Sequence, residues 1–260
     1  MTDMAEVTEV TEMAELSGDD RAGFRANNQE QAAAMAADTE LMARATDLVV
    51  DADRYGYSYQ WTWLGLPIIQ MPPDILAMQE IIWATRPQII IETGIARGGS
   101  VILSSSILQL IGEGKVIAVD VDIRAHNREA IEEHPLGHRI QMIEGSSIDP
   151  AVLQQVRDGA TSAERVMVVL DSNHTHEHVL AELEAYASLV TPGQYLVVAD
   201  TIVEHIPVQE HRPRPWGPGD NPHTALVEFA SDHPEFEVDE HLNAKLLMTS
   251  SPGGYLRRTR

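Results

Sequence analysis

The chain has no cysteine, which excludes disulfide frameworks, thiolate zinc centres and cysteine nucleophiles. It is also short of positive charge: 18 lysines and arginines face 40 aspartates and glutamates, for a formal net charge of −22. Nucleic-acid binding depends on clustered Lys and Arg, so a nucleic-acid partner is not expected. No apolar run is long enough to span a bilayer and no secretory signal is recognisable, so the expectation is a soluble cytoplasmic protein without a membrane partner. Aromatic residues are only 5% of the chain, yet five of them crowd into Tyr55-Gly-Tyr-Ser-Tyr-Gln-Trp-Thr-Trp63.

What is present suffices for a full core: 260 residues with 43% apolar side chains hold one α/β domain and an N-terminal extension. Three parts are expected. Residues 1–27 form an acidic, low-hydrophobicity segment expected to be flexible. Residues 28–87 form a helical and aromatic extension, with Asn28 capping one or two helices across residues 29–53 that suit packing or a homo-oligomer contact. Residues 88–260 form the main domain. The aromatic run predicts an extended segment with rings on one face. Two readings stay open for it: a plug in the core or at a subunit contact, and a wall of a substrate pocket through Tyr57, Tyr59 and Trp61. After a proline-set connection over residues 65–73, Asp74 is expected to cap a helix that runs to about Ala84 and stops before Arg86-Pro87.

The chain is organised around Ile89-Ile-Ile-Glu-Thr-Gly-Ile-Ala-Arg-Gly-Gly-Ser100, a buried strand, a glycine turn and a helix start with Ser100 as its cap. Dinucleotide folds use G-x-G-x-x-G so that a pyrophosphate can sit on the helix N-terminus. Here the pattern is Glu92-x-Gly94-x-x-x-Gly98. An acid in that position repels a pyrophosphate and suits an ammonium or sulfonium, which disfavours a nicotinamide dehydrogenase. The turn resembles the first motif of class I S-adenosylmethionine (SAM)-dependent methyltransferases, and the resemblance implies SAM as cofactor. Glu92, Gly94, Arg97, Gly98 and Ser100 are then candidate cofactor-binding residues.

Further strands follow in alternation with helices, over residues 115–120, 139–143, 165–171 and 194–200. Asp120, 21 residues past Gly99, stands where doubly wound folds place the acid for the ribose hydroxyls, its other reading being a cap for a helix beginning near Ile123. Ser146 and Ser147 follow the third of these strands as candidates for the adenine edge, and Asp149 caps the next helix. The fold class expected is α/β, a doubly wound Rossmann-like methyltransferase sheet. It should close with an antiparallel hairpin, residues 245–249 against 255–258 across Ser-Ser-Pro-Gly-Gly. Ligands of such sheets gather outside the carboxyl ends of the strands, where Glu92, Asp120, Ser146, Asp171 and Asp200 fall.

Asp171-Ser-Asn-His-Thr-His-Glu-His178 carries the chemistry. With neighbouring strands about 4.8 Å apart, Asp171 and Asp200 are close enough to share a cation, and magnesium needs few protein oxygens. His174 would take the proton of an acceptor hydroxyl. His176 and His178 suit a helix start better than a zinc or iron centre, since the acid that such centres need after the histidines is missing.

Taken with Gly65-Leu-Pro-Ile-Ile-Gln and Gly217-Pro-Gly-Asp-Asn-Pro222, these motifs resemble the cephalosporin hydroxylase family, whose members include rhamnosyl O-methyltransferases. The resemblance spans about Tyr55 to the C-terminus. It implies a magnesium ion held by Asp171 and by a Glu-Asp pair after the fifth strand, with His174 as base and a small natural-product acceptor methylated at a hydroxyl. This chain has Ala199-Asp200 where the pair is expected. Either the ion is held more weakly, with Glu204 or water substituting, or the metal has been abandoned. The latter suits metal-independent C-methylation of an electron-rich aromatic such as an indole. A non-catalytic cofactor-binding partner protein is a third reading. The proline-rich residues 201–219 are expected to form a lid over the acceptor, with Arg212, Arg214 and Trp216 as contacts, ahead of a helix capped by Asn221 with Pro222 at its first position.

Overall fold

The structure is a computed structural model that describes residues 20–208 and 213–260. Most of the acidic segment and the candidate Arg212 lie outside the described residues. From Arg21, short of the expected boundary at residue 27, the chain is already helical. Helix α1 (Arg21–Ala37) is followed by α2 (Thr39–Asp53). Asn28 sits inside α1 and caps nothing. The break falls at Asp38, whose carboxylate accepts from Leu41 N at 3.0 Å and so starts α2.

The aromatic run is not one extended segment. Gly56, at φ 62°, turns the chain into a single 3-10 turn, Tyr57–Tyr59. A hairpin of β1 (Trp61–Trp63) and β2 (Leu66–Ile68) follows. Its two central residues, Leu64 and Gly65, both have positive φ, as tight two-residue hairpins require. Helix α3 (Pro72–Thr85) begins with two prolines and ends on Arg86 in the left-handed region. Asp74 is in its first turn and buried, so it is not the cap.

The main sheet comprises β3 (Ile89–Thr93), β4 (Lys115–Asp120), β5 (Ile140–Glu144), β6 (Val166–Leu170), β7 (Tyr195–Val198), β8 (Phe236–Val238) and β9 (Tyr255–Arg258). Their spatial order is β5-β4-β3-β6-β7-β9-β8. The first five strands are parallel, and β9 runs antiparallel to both β7 and β8. Strands covered on both faces need apolar residues at every position, and β3 and β6 are buried throughout. Ile89 and Ile91 enter the core on one face, while Ile90 enters that on the other. Around the sheet lie α4 (Gly99–Ile111), α5 (Ala125–Glu132), α6 (Pro150–Ala160), α7 (His176–Tyr186) and α8 (Pro222–Asp232). The expected caps hold at Asp149, which accepts from Ala151 N and Val152 N, and at Asn221, which forms a reciprocal capping box with Thr224.

The closing hairpin is real but differently partnered. Residues 245–249 form no strand; β9 pairs with β8 instead, across a short helix, α9 (Glu240–Ala244), which Asp239 caps by accepting from Leu242 N at 2.9 Å. Because β3 has β4 on one side and β6 on the other, the strand order reverses there. The crevice above that switch point is where doubly wound sheets take ligands.

Candidate active site

The site begins at the turn after β3. Gly94 has φ 92°, and a Cβ there would lie 2.0 Å from the Asp171 carbonyl oxygen. Gly94 N donates to Val119 O and Asp171 N to Thr93 O, so the tips of β3, β4 and β6 are stitched together without room for a side chain. The Asp120 carboxylate accepts from Ile95 N at 2.7 Å, Ala96 N at 3.3 Å and Asp122 N at 3.0 Å. It therefore braces the turn and caps no helix, since α5 starts only at Ala125. Asn127, which sequence reasoning did not single out, completes the brace by donating to Ala96 O at 2.7 Å.

Ser100 is not the helix cap. The cap position is Gly98, at φ 89°, and Ser100 instead donates its hydroxyl to Glu92. Glu92 is 3% exposed at the end of β3. Burial raises its carboxyl from 4.5 to about 7 against the lowering effect of the Ser100 hydrogen bond. Over the start of α4 lies the β2 backbone: a Cβ on Gly99 would meet Pro67 O at 2.4 Å. The β2 backbone therefore leaves no room for a side chain on the first residue of α4. Arg97 points outward, within 3.5 Å of His126 Nε2.

Two carboxylates and an imidazole meet at the tips of β6 and β7. Donor atoms of Asp171, His174 and Asp200 lie within 4.8 Å of one another. His174 Nε2 stands 3.4 Å from Asp200 Oδ2, an ion-pair separation rather than a short hydrogen bond. Asp200 is held in the left-handed region, φ 56°, which turns the chain sharply after β7. Burial pushes the Asp171 carboxyl well above the usual carboxylate range, and the neighbouring charges of Asp200 and Glu92 push it further. Among the described residues, no third acid joins this group. Glu204 accepts from Gly219 N at 2.8 Å and Asn221 Nδ2 at 2.6 Å, bonds that hold its carboxyl below its ordinary value. It braces the loop before α8 and is not a substitute metal ligand. The donor set that remains, two carboxylate side chains with room for waters, fits one divalent cation of the magnesium type.

The other histidines diverge. His176, in the first turn of α7, reaches Thr224 and Glu228 of α8. His178 faces Ser147 and Glu182. Ser147 is buried, and Ser146 accepts from Asp149 N through its carbonyl.

A cavity of about 350 Å³ joins these parts. Gly94, Ala96 and Asp120 line it at the glycine turn, Asp171, Ser172, His174 and Asp200 at the strand tips, and Tyr57, Tyr59, Arg214 and Trp216 on the opposite side. Trp216 meets His174 edge to face at 4.7 Å, with the Arg214 guanidinium 5.3 Å over its ring. The structure thus brings Gly94, Asp120, Tyr57, Tyr59, Asp171, His174, Asp200 and Trp216 to one space. Glu92, Arg97, Gly98, Ser100, Ser146, Ser147 and Trp61 do not line it; Trp61 packs edge-on against Tyr57 instead.

Sequence reasoning missed the floor of this cavity, where Asp74, Ser250, Ser251 and Tyr255 converge. Asp74 accepts from Tyr255 OH at 2.8 Å, Ser250 N at 2.8 Å and the Thr249 hydroxyl. Burial raises its carboxyl despite those bonds. An acid beside Ile75, Ala77 and Met78, on the buried face of a helix, was the signal available.

Residues 55–259 match the family described as Rhamnosyl O-methyltransferase/CmcI. The chain is 30% identical over 227 residues to a rhamnosyl O-methyltransferase of Mycobacterium bovis (strain BCG / Pasteur 1173P2), which covers 84% of this chain and 89% of that protein. A rhamnosyl O-methyltransferase of Mycobacterium leprae (strain TN) is 29% identical over 226 residues, 84% of this chain and 94% of that one. In fold, the chain is similar to a solved structure of CmcI with Mg and SAM, at a TM-score of 0.55 and 18% identity over 78% of each chain.

Proposed function

The chain belongs to the rhamnosyl O-methyltransferase/CmcI family of SAM-dependent methyltransferases, and on that premise we propose that it methylates a hydroxyl of a small natural-product acceptor. The observation that carries this reading is the continuity of the cavity. Its donor end, at Gly94 and Asp120, and its aromatic end, at Tyr57, Tyr59 and Trp216, meet at Asp171 and His174.

In this reading Asp120 offers its remaining acceptor capacity to the ribose of SAM, and the cationic end of SAM draws Glu92 and Asp171, which burial otherwise holds toward their neutral forms, to the ionised forms that supply negative potential there. The methyl group moves by in-line displacement, which requires sulfonium, methyl and acceptor oxygen to be aligned within near-attack distance. His174 takes the hydroxyl proton, Asp200 stabilises the resulting imidazolium, and Trp216 fixes the ring from its edge. Asp171 and Asp200 would hold a magnesium ion, which would supply Lewis acidity to the acceptor oxygen.

Ala199 favours a second reading, metal-independent C-methylation of an electron-rich aromatic, because a position that the resemblance assigns to a metal-binding acid has no donor. The aromatic wall would stack such an acceptor. Incubation with SAM and a panel of deoxysugar glycosides, phenols and indoles, with and without exhaustive chelation, separates the two by mass spectrometry and NMR of the product. An O-methylated product that vanishes on chelation supports the first reading; a C-methylated product that survives supports the second. In either, His174→Ala should lower turnover about a hundredfold or more while S-adenosylhomocysteine affinity stays within a few-fold. Full turnover in that variant would remove His174 from its role.

A further inference from the structure

Helix α7 carries a polar stripe that the proposed reaction does not use. His178, Glu182 and Tyr186 are spaced four residues apart, so they lie one above another on one helix face. That face is turned inward: Glu182 and Tyr186 are each 0% exposed. A buried polar group is costly unless it is hydrogen-bonded, and this carboxyl is bonded on one side only. Glu182 Oε1 accepts from the Ser172 hydroxyl at 2.6 Å, whereas Glu182 Oε2 is buried without a partner.

The stripe touches two loops that leave different strands. Ser172 belongs to the loop after β6, between Asp171 and His174, and it lines the cavity. Its hydroxyl is also 3.3 Å from His178 Nε2. Ser147 belongs to the loop after β5. Its hydroxyl is 3.1 Å from the same His178 nitrogen, and its carbonyl accepts from Tyr186 OH at 2.8 Å. His178 Nε2 stands 3.7 Å from Glu182 Oε1, which completes the path between the two loops.

We propose that Glu182 is a positioning residue that latches the loop bearing Asp171 and His174 to the loop bearing Ser147, so that donor binding at one sets the other. The inference rests on the proposed reaction at Asp171 and His174 and on the expectation from sequence that the loop bearing Ser147 meets the adenine edge of the donor, although Ser147 itself does not line the cavity. Glu182 touches no reacting atom in it. Its carboxylate fixes Ser172, and through His178 it fixes Ser147. What the Glu182 carboxyl meets is the loops and not the core: Ser172 on one directly, and Ser147 on the other through His178.

The test is hydrogen exchange read by mass spectrometry on the whole chain, for the wild type, Glu182→Leu and Ser172→Ala, with and without S-adenosylhomocysteine. Without ligand, Glu182→Leu should melt no lower than the wild type, yet amides of residues 145–148 and 171–175 should both exchange about tenfold faster. Ser172→Ala, which removes the hydroxyl that Glu182 accepts from, should loosen residues 171–175 to a similar degree. With ligand, the wild type should protect both loops. Glu182→Leu should protect only residues 145–148, and Glu182→Gln, which keeps an oxygen for Ser172, should restore most of the second protection. Unchanged exchange in residues 171–175 in both Glu182→Leu and Ser172→Ala, or loosening confined to one loop in Glu182→Leu, overturns the latch. If the wild type binds no S-adenosylhomocysteine, the donor assignment fails instead, and the ligand-free comparison still decides the latch.

Discussion

Glu92 shows how one buried side chain makes stability depend on pH. Its carboxyl titrates near 4.5 in an unfolded chain and at about 7 in the folded one. The folded state therefore holds more protons between those values, and stability falls as pH rises from about 4.5 to about 7. Glu92→Gln removes the effect. The variant should melt higher than the wild type at pH 8, by a difference worth at most about 3 kcal/mol, and the gap should close by pH 4. Asp74 and Asp171 are raised too and bend the wild-type curve the same way; the difference between the two proteins cancels the Asp74 part and reads Glu92 together with the push that its charge gives Asp171. A gap of equal size at both pH values would mean that the Glu92 carboxyl titrates alike in the folded and the unfolded chain. The same variant addresses function: if the carboxylate serves the sulfonium charge, SAM should lose more affinity than the uncharged sulfide S-adenosylhomocysteine.

At the scale of elements, the turn between β3 and α4 is the least forgiving part of the chain. Gly94→Ala would place a methyl group on the Asp171 carbonyl in a backbone conformation that non-glycine residues avoid. Either β3 or the loop after β6 must move. We expect S-adenosylhomocysteine binding by calorimetry to drop at least about a hundredfold, and the midpoint of thermal melting to fall. Wild-type affinity in Gly94→Ala would show that the turn plays no part in donor binding. This turn was legible in sequence because a strand buried on both faces reads as an unbroken apolar run and because glycines mark where it must bend. The same logic recovered β4, β6 and the strand-tip acids. It failed where local preference was overruled from afar. Lys245-Leu-Leu-Met-Thr249 has strand-like composition, yet Thr249 and Ser250 are committed to Asp74, some 175 positions earlier. Ser100 looked like a cap and was taken by a buried acid on the preceding strand. The Tyr55 to Trp63 run was misread because one glycine in the left-handed region, Gly56, breaks its alternation.

For the whole molecule, α1 is anomalous. None of its 17 residues is buried, and Phe24 on it is 65% exposed. It meets its own chain along half-buried residues such as Ala32, Met35 and Ala36 and so gains less from tertiary packing, which is where most helical stability arises. A homo-oligomer in which α1 lies against a second copy is the arrangement we propose for it. Light scattering should give a mass at least twice that of the chain, and removal of residues 1–37 should yield a monomer that still binds S-adenosylhomocysteine; a monomeric full chain would set that arrangement aside. Among the described residues, no helix is long and apolar enough to cross a membrane. The cavity spans the molecule differently. Its donor end is built from β3, β4 and the glycine turn, all stitched into the central sheet. Its aromatic end is borrowed from a 3-10 turn near one end of the chain and from a loop before α8. Neither stretch supplies a strand of the main sheet, although Trp63 packs against its core and donates to Ser106. Such a division lets a lineage exchange the molecules it modifies while inheriting its methyl source unaltered, and it marks residues 55–63 and 213–220 as the places to redesign.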